Sequence, residues 1–185
     1  MSIYYPSGNC GAAAALPAYA CSPCLDREFG RVRKLLLYKD GYAPSDFTSK
    51  SQWQALLAAG NAIFLWKVNG EYDGGETEEI DGFGDVEKEN GSTTHKAVIR
   101  DPYVKDNIDF YKALKDYTNW VPVLFTSSRM WDAGVACSIK VKAPIENNLK
   151  SVMAVESTLT WSSPDLMTPY AIPSGLFDVC FIAEV

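Results

Sequence analysis

Histidine is almost missing from this chain of 185 residues, where His95 stands alone. Metal sites built on several imidazoles are thereby excluded, and histidine-based acid–base catalysis hangs on one residue. His95 falls in a segment that reads as a strand and has no partner recognisable in the sequence, so a sheet position suits it better than a general base. No run of roughly 18 or more apolar residues occurs, so nothing reads as a helix that crosses a bilayer, and no membrane partner is expected. Cations are outnumbered, with 17 Lys and Arg against 23 Asp and Glu and a net charge of −6. That balance argues against a broad basic face gripping nucleic acid by its phosphates. Signature motifs are missing too: there is no GxxxxGK[ST], GxSxG or HExxH, and no Gly-rich turn between a strand and a helix. A glycosidase would need two carboxylates held across a cleft, a spacing that sequence does not reveal. No catalytic residue is assigned and no enzyme is expected.

Charge is absent from the first 25 residues. Gly11 to Leu16 is a short apolar run, and Ala18-Tyr19-Ala20-Cys21 has the small residues of a lipoprotein cleavage site. Yet no Lys or Arg precedes the run, the first being Arg27, and Pro6, Pro17 and Pro23 break any helix there. No signal peptide is expected. Residues 1–26 read instead as an extended arm, aromatic at Tyr4, Tyr5 and Tyr19 and punctuated by proline. Five cysteines are an odd number, which disfavours a fully paired secreted framework. Cys21-Ser22-Pro23-Cys24 is a CxxC with Cys10 upstream. Two thiols at that spacing fit one tetrahedral zinc, which Cys10 with Cys137 or Cys180 would complete. Reduced structural thiols or a local disulfide remain the alternative. Redox catalysis fits poorly, since the CxxC follows a proline-rich arm rather than opening a helix.

What is present reads as one β-rich domain over 27–185. Residues 31–38 form a strand ended by Asp40-Gly41. Ser45 to Ala59 is a helix, with Trp53, Leu56 and Leu57 at i, i+3 and i+4. Residues 62–68 make the strongest strand, closed by an Asn69-Gly70 turn. Thr93 to Arg100 alternates, with Lys96, Val98 and Arg100 on one side and His95, Ala97 and Ile99 on the other. Tyr103 to Tyr117 is a second helix. Residues 120–126 form a strand in which Pro122 points to an edge or a strand start. Residues 136–141 and 152–161 make two more strands, the second with Val155, Ser157, Leu159 and Trp161 on one face. The proline-rich segment 162–175 reads as loop, and 176–182 as a last strand. The fold class is α+β: mainly an antiparallel β-sandwich or barrel of about seven strands with two helices. Trp53, Trp66, Trp161, Phe64 and Phe110 are expected in its core.

Acidity is concentrated. Glu71, Asp73, Glu76, Glu78, Glu79, Asp81, Asp85, Glu87 and Glu89 face Lys88 alone, so 71–89 carries −8 and the rest of the chain +2. Three readings compete for the segment: a solvated hairpin loop, a wall turned toward a polyanion, or a cation site. Asp81-Gly82-Phe83-Gly84-Asp85 lacks the alternating ligands and closing Glu of a calcium loop. Aromatic residues are plentiful, with five Trp, ten Tyr and eight Phe. Those in the proline-rich ends, Tyr4, Tyr5, Tyr19 and Tyr170, are hard to bury within one small domain and suit contacts between subunits.

Three segments carry a family resemblance: Asp26-Arg27-Glu28-Phe29-Gly30-Arg31-Val32-Arg33, Val68-Asn69-Gly70-Glu71-Tyr72-Asp73-Gly74-Gly75 and Trp161-Ser162-Ser163-Pro164-Asp165-Leu166. Each resembles segments of virion proteins of tailed bacteriophages, and the chain is similar to tail-tube or connector-ring structural proteins of phages infecting Bacteroidota. The resemblance implies a tail-tube-like β-sandwich subunit made in the host cytoplasm and assembled into the virion. It also implies six- or twelve-fold rings around a DNA passage, with arms and loops reaching neighbouring virion proteins. A carboxylate-rich lumen would repel the duplex and let it pass without tight binding. Two other classes remain in view: a monomeric binding module or surface adhesin with an acidic cation- or partner-binding loop, and a small carboxylate hydrolase.

Overall fold

The computed structural model describes residues 30–81, 88–115, 117–144 and 152–175, with side chains described outside 88–90. In chain order the elements are β1 (Lys34–Lys39), α1 (Lys50–Ala58), β2 (Ala62–Leu65), β3 (Asn69–Tyr72), β4 (Glu76–Asp81), β5 (Lys88–Asp101), α2 (Val104–Leu114), β6 (Trp120–Phe125), β7 (Arg129–Asp132), β8 (Ser138–Lys142), β9 (Val155–Ser162) and β10 (Thr168–Ala171). They build two antiparallel sheets. The first runs β10-β7-β6-β1-β2; the second runs β3-β5-β9-β8, with β4 also paired to β5. Neither sheet closes on itself among the described residues, so the sandwich expectation holds and the barrel does not.

Burial explains the hydropathy patterns. Leu35, Leu36, Leu37 and Tyr38 of β1 are all buried, as are all six residues of β6. A strand that reads apolar throughout is covered on both faces. Leu35 and Leu37 join a cluster with Ala97, Ile99, Leu159 and Trp161 of the second sheet. Leu36 and Tyr38 join the opposite cluster, with Trp53 of α1. The first sheet is therefore the middle layer, between α1 and the second sheet. In β9 burial alternates instead, with Val155, Ser157, Leu159 and Trp161 inward as the sequence predicts. His95, Ala97 and Ile99 of β5 likewise point inward. Tyr111 and Leu114 of α2 enter the inter-sheet cluster.

The structure corrects several expectations. Pro122 lies in β6, an interior strand between β7 and β1, not at an edge. The Ala133 N–H donates to the Pro122 carbonyl and the Cys137 N–H to that of Trp120, so the nitrogen of Pro122 faces the gap where β7 has ended. No ladder donor is required there, which is why proline is tolerated. Asn69-Gly70 opens β3 rather than making a turn. Gly70 bridges Val32 on one side and pairs with Ile99 on the other, stitching the two sheets together. A Cβ at Gly70 would stand 2.6 Å from the Val98 carbonyl, so only glycine fits. Among the described residues of the acidic segment, those at 71–72, 76–81 and 88–89 lie in strands β3, β4 and β5. Segment 162–175 contains β10, and β7 went unforeseen. The strand expected at 176–182 lies outside the described residues.

Candidate functional site

The second sheet gives the acidic residues their place. β5 pairs with β9 from Asp101 back to Thr94, and the Ser163 N–H still donates to the Thr93 carbonyl. Before that point β5 pairs only with β4, through Thr77–Thr93, Glu79–Asn90, Ile80–Glu89 and Asp81–Lys88. The result is a two-stranded ribbon that runs past the sheet by about six residues, roughly 20 Å. Every residue of β4 is exposed. Glu71, Asp73, Glu76, Glu78, Glu79 and Asp81 all lie at the surface of this ribbon and its root. Asp85 and Glu87 fall outside the described residues, and Glu89 is placed in β5 by its backbone alone.

The root of the ribbon is built tightly. Tyr72, His95 and Trp161 stack nearly parallel, with ring centres 5.5 to 6.0 Å apart. His95 Nε2 lies 3.1 Å from the Ser163 carbonyl oxygen, which only accepts, so Nε2 carries the proton. Nδ1 then accepts from the Tyr72 hydroxyl at 2.7 Å. The tautomer follows from these partners. Both ring nitrogens are engaged, which leaves His95 none to act as a base and makes it the sheet residue expected. Gly75, at φ +88°, packs on the imidazole so closely that a Cβ would lie 2.5 Å from Nδ1. One carboxylate oxygen of Asp73 accepts from the Gly75 and Lys96 N–H groups, both at 3.0 Å, and pins the β3–β4 corner. The Thr77 and Thr93 hydroxyls pair across the ribbon at 2.8 Å.

Charge of the other sign lies on the same sheet, on Lys140 and Lys142 of the edge strand β8 and on Arg100 of the interior strand β5. Lys142 and Arg100 reach Glu156 at 2.7 and 3.2 Å. The Lys142 bond foremost holds the Glu156 carboxyl below its usual range, against an opposing effect of burial and with a further lowering from Arg100. Glu71 lines a shallow cleft of about 120 Å³ with Arg100, Asn69 and Gly70.

Two buried carboxylates escaped the sequence reading. Asp101, 4% exposed, accepts from the Tyr103 N–H, the Asn107 amide and the Tyr111 hydroxyl at 2.8 to 3.0 Å, fastening α2 to the end of β5. Its place two residues ahead of a helix was the available signal, since Asp at a helix start satisfies open backbone donors. Asp132 accepts from the buried Tyr38 hydroxyl at 3.0 Å. Burial raises the Asp132 carboxyl, against the lowering effect of the Gly134 N–H and of Tyr38. Both tyrosines are pushed up, foremost by burial.

The other candidates separate. Tyr4, Tyr5 and Tyr19, proposed for subunit contact, and Cys10, Cys21 and Cys24, proposed for metal, lie outside the described residues. Tyr170 stacks on Phe47 at 4.3 Å, so its ring is engaged within its own domain. Cys137 is buried, and burial pushes its thiol up to about 12. Among the described residues no group of three or more His, Cys, Asp or Glu is placed to hold a metal ion, and no helix is long and apolar enough to cross a membrane.

Trp53 and Trp161 occupy the core as expected. Phe64 and Phe110, half-buried, pack against the two core clusters, whereas Trp66 does not join either; all three line a cleft of about 300 Å³ between β2 and α2. Lys67 covers the lip, with Nζ 4.2 Å from the Trp66 ring centre and 5.5 Å from that of Tyr103. A second cleft of about 290 Å³ adjoins the first through Ile63 and Phe110 and is also lined by Lys39, Tyr117 and Trp120. Comparison of the chain with protein-family models, curated proteins and solved structures gives no match.

Proposed function

We propose that this chain is a structural subunit of a homo-oligomeric ring, of the phage tail-tube or connector kind, with the acidic ribbon turned toward a passage for DNA. The observation that carries the reading is the ribbon itself. Four described carboxylates, Glu76, Glu78, Glu79 and Asp81, stand on the exposed strand β4 of one two-stranded projection, with Glu71 and Asp73 at its root, while the body behind it has a core of its own. A lone two-stranded ribbon is marginal in water, and neighbouring copies would shelter it. Carboxylates along a channel repel phosphates, and the repulsion acts within a Debye length of about 8 Å at physiological salt, so DNA would slide past without being held. The partners in this reading are copies of the chain, six or twelve to a ring, and adjoining virion proteins. Its place is the virion.

The test is sedimentation and negative-stain electron microscopy of the purified full chain over a range of concentrations. Rings or stacked tubes are expected, together with no measurable retention of duplex DNA at about 150 mM salt. A particle that stays monomeric at the highest concentration overturns the assembly and favours the binding-module alternative.

A further inference from the structure

The two clefts between β2 and α2 form one groove, and we propose that it receives the N-terminal arm, residues 1–26, of a neighbouring copy. The proposal rests on the ring reading above and names the surface through which one copy holds the next.

The lining decides the kind of occupant. Ile63, Trp66, Phe110 and Tyr117 present apolar and aromatic surface, and the charged groups are Lys67 and Lys39 with the already satisfied Asp101. An occupant without charge and with aromatic anchors suits such a surface, because each buried charge would need a partner. The first 25 residues of this chain carry no charge and include Tyr4, Tyr5 and Tyr19. Trp120 is 5% exposed, lines the second cleft, and its indole N–H has no acceptor among the described residues. Buried donors are almost always paired, and an extended backbone laid in the groove supplies carbonyls for one.

Length allows the neighbour, and the ring reading puts one within reach. The groove follows β2 and the residues on either side for roughly 25 Å, a span for about eight extended residues. The 29 residues ahead of Gly30 reach about 95 Å when extended. A domain of about 150 residues is roughly 30 to 40 Å across, so a segment of this length is able to reach an adjoining copy. A docking segment of this sort places rigid aromatic side chains in preformed clefts, where few residues carry most of the binding.

The test keeps the full chain. A photo-crosslinking amino acid replaces Tyr5, and copies grown on light and heavy nitrogen are mixed before irradiation. Cross-links are expected to the groove lining, at residues 39, 60–68, 101–114, 117 or 120, with light–heavy pairs making up about half of them. Trp66→Ser, at the lip of the groove, should lower their yield about tenfold while leaving the circular dichroism unchanged. Phe110→Ser should act alike, and the unaltered chain supplies the contact map independently of either variant. Cross-links that land elsewhere in an assembled particle overturn the groove and leave the ring reading standing. Cross-links to the groove without light–heavy pairs overturn the exchange between copies. A chain that sediments as a monomer overturns the ring reading and the exchange together.

Discussion

If the Tyr72–His95–Trp161 stack fastens the ribbon to the body, loosening it should release the ribbon and leave the sandwich folded. His95→Phe is the cleanest perturbation, since a phenyl ring preserves the stacking and removes both ring nitrogens. The Tyr72 hydroxyl is part-exposed and can turn to water at little cost. The Ser163 carbonyl belongs to a residue that is 7% exposed, and it loses its 3.1 Å donor. An unpaired buried acceptor costs about 1–3 kcal/mol, so about 2 kcal/mol is the working figure. That corresponds to roughly a 30-fold rise in the open population. A Glu-specific protease reads this directly, because Glu76, Glu78 and Glu79 lie on the ribbon and cleavage under fast reclosing follows the open fraction. Cleavage there should rise about 30-fold, with the urea midpoint of Trp161 fluorescence changing far less than a global loss of the same size would require. Gly75→Ala should act in the same direction, because it combines a strained φ with a Cβ driven into the imidazole. Unchanged cleavage in both variants refutes the root. A urea midpoint that falls by the full 2 kcal/mol equivalent refutes the separation of ribbon from body.

Asp132 supplies a pH test whose sign is definite. Its folded pKa is raised above the unfolded value of 3.8, so the folded state binds the proton more tightly. The unfavourable contribution is therefore fully present above the folded pKa and disappears as the pH falls below the unfolded one. Asp132→Asn should flatten that part of the stability profile, whereas Tyr38→Phe should cost about 1.5–3 kcal/mol at neutral pH by stripping a hydroxyl from a buried carboxylate. Denaturant melts between pH 3 and pH 7 (roughly the window that linkage sets) measure both, and an identical pH slope in Asp132→Asn sinks the assignment. The Cys137 thiol, at about 12, should resist a thiol-alkylating reagent at neutral pH until the protein is unfolded; rapid labelling of Cys137 in the native protein, located by peptide mapping, counts against its burial.

Much of the sandwich was legible because burial imposes its own period on the chain. The alternation in β5 and β9 announced which side chains face the core. The unbroken apolar run of β1 foretold a strand, but its cover on both faces became visible only once α1 and the second sheet were in place. Pro122 misled because a missing donor matters only where a neighbour strand needs it, and β7 ends just short of it. The short strands β7 and β10 carry too few residues to display a period. The pairing of Asp132 with Tyr38 joins positions 94 apart in the chain, and no local pattern records such a distance.

The amino-acid sequence alone determined the α+β class, the two helices, most of the long strands and the isolation of negative charge in 71–89. Those follow from local period, turn chemistry and composition, which each segment carries within itself. Only the tertiary structure decided that the described acids of 76–81 ride on a strand that projects past the sheet. The same holds for the role of His95 as the root of that ribbon, and for the opening of Trp66 onto a groove instead of the core. Each of these depends on which strand lies beside which. Register and layer order are set by long-range packing, where a residue's neighbours in space, rather than in sequence, fix its exposure and its partners.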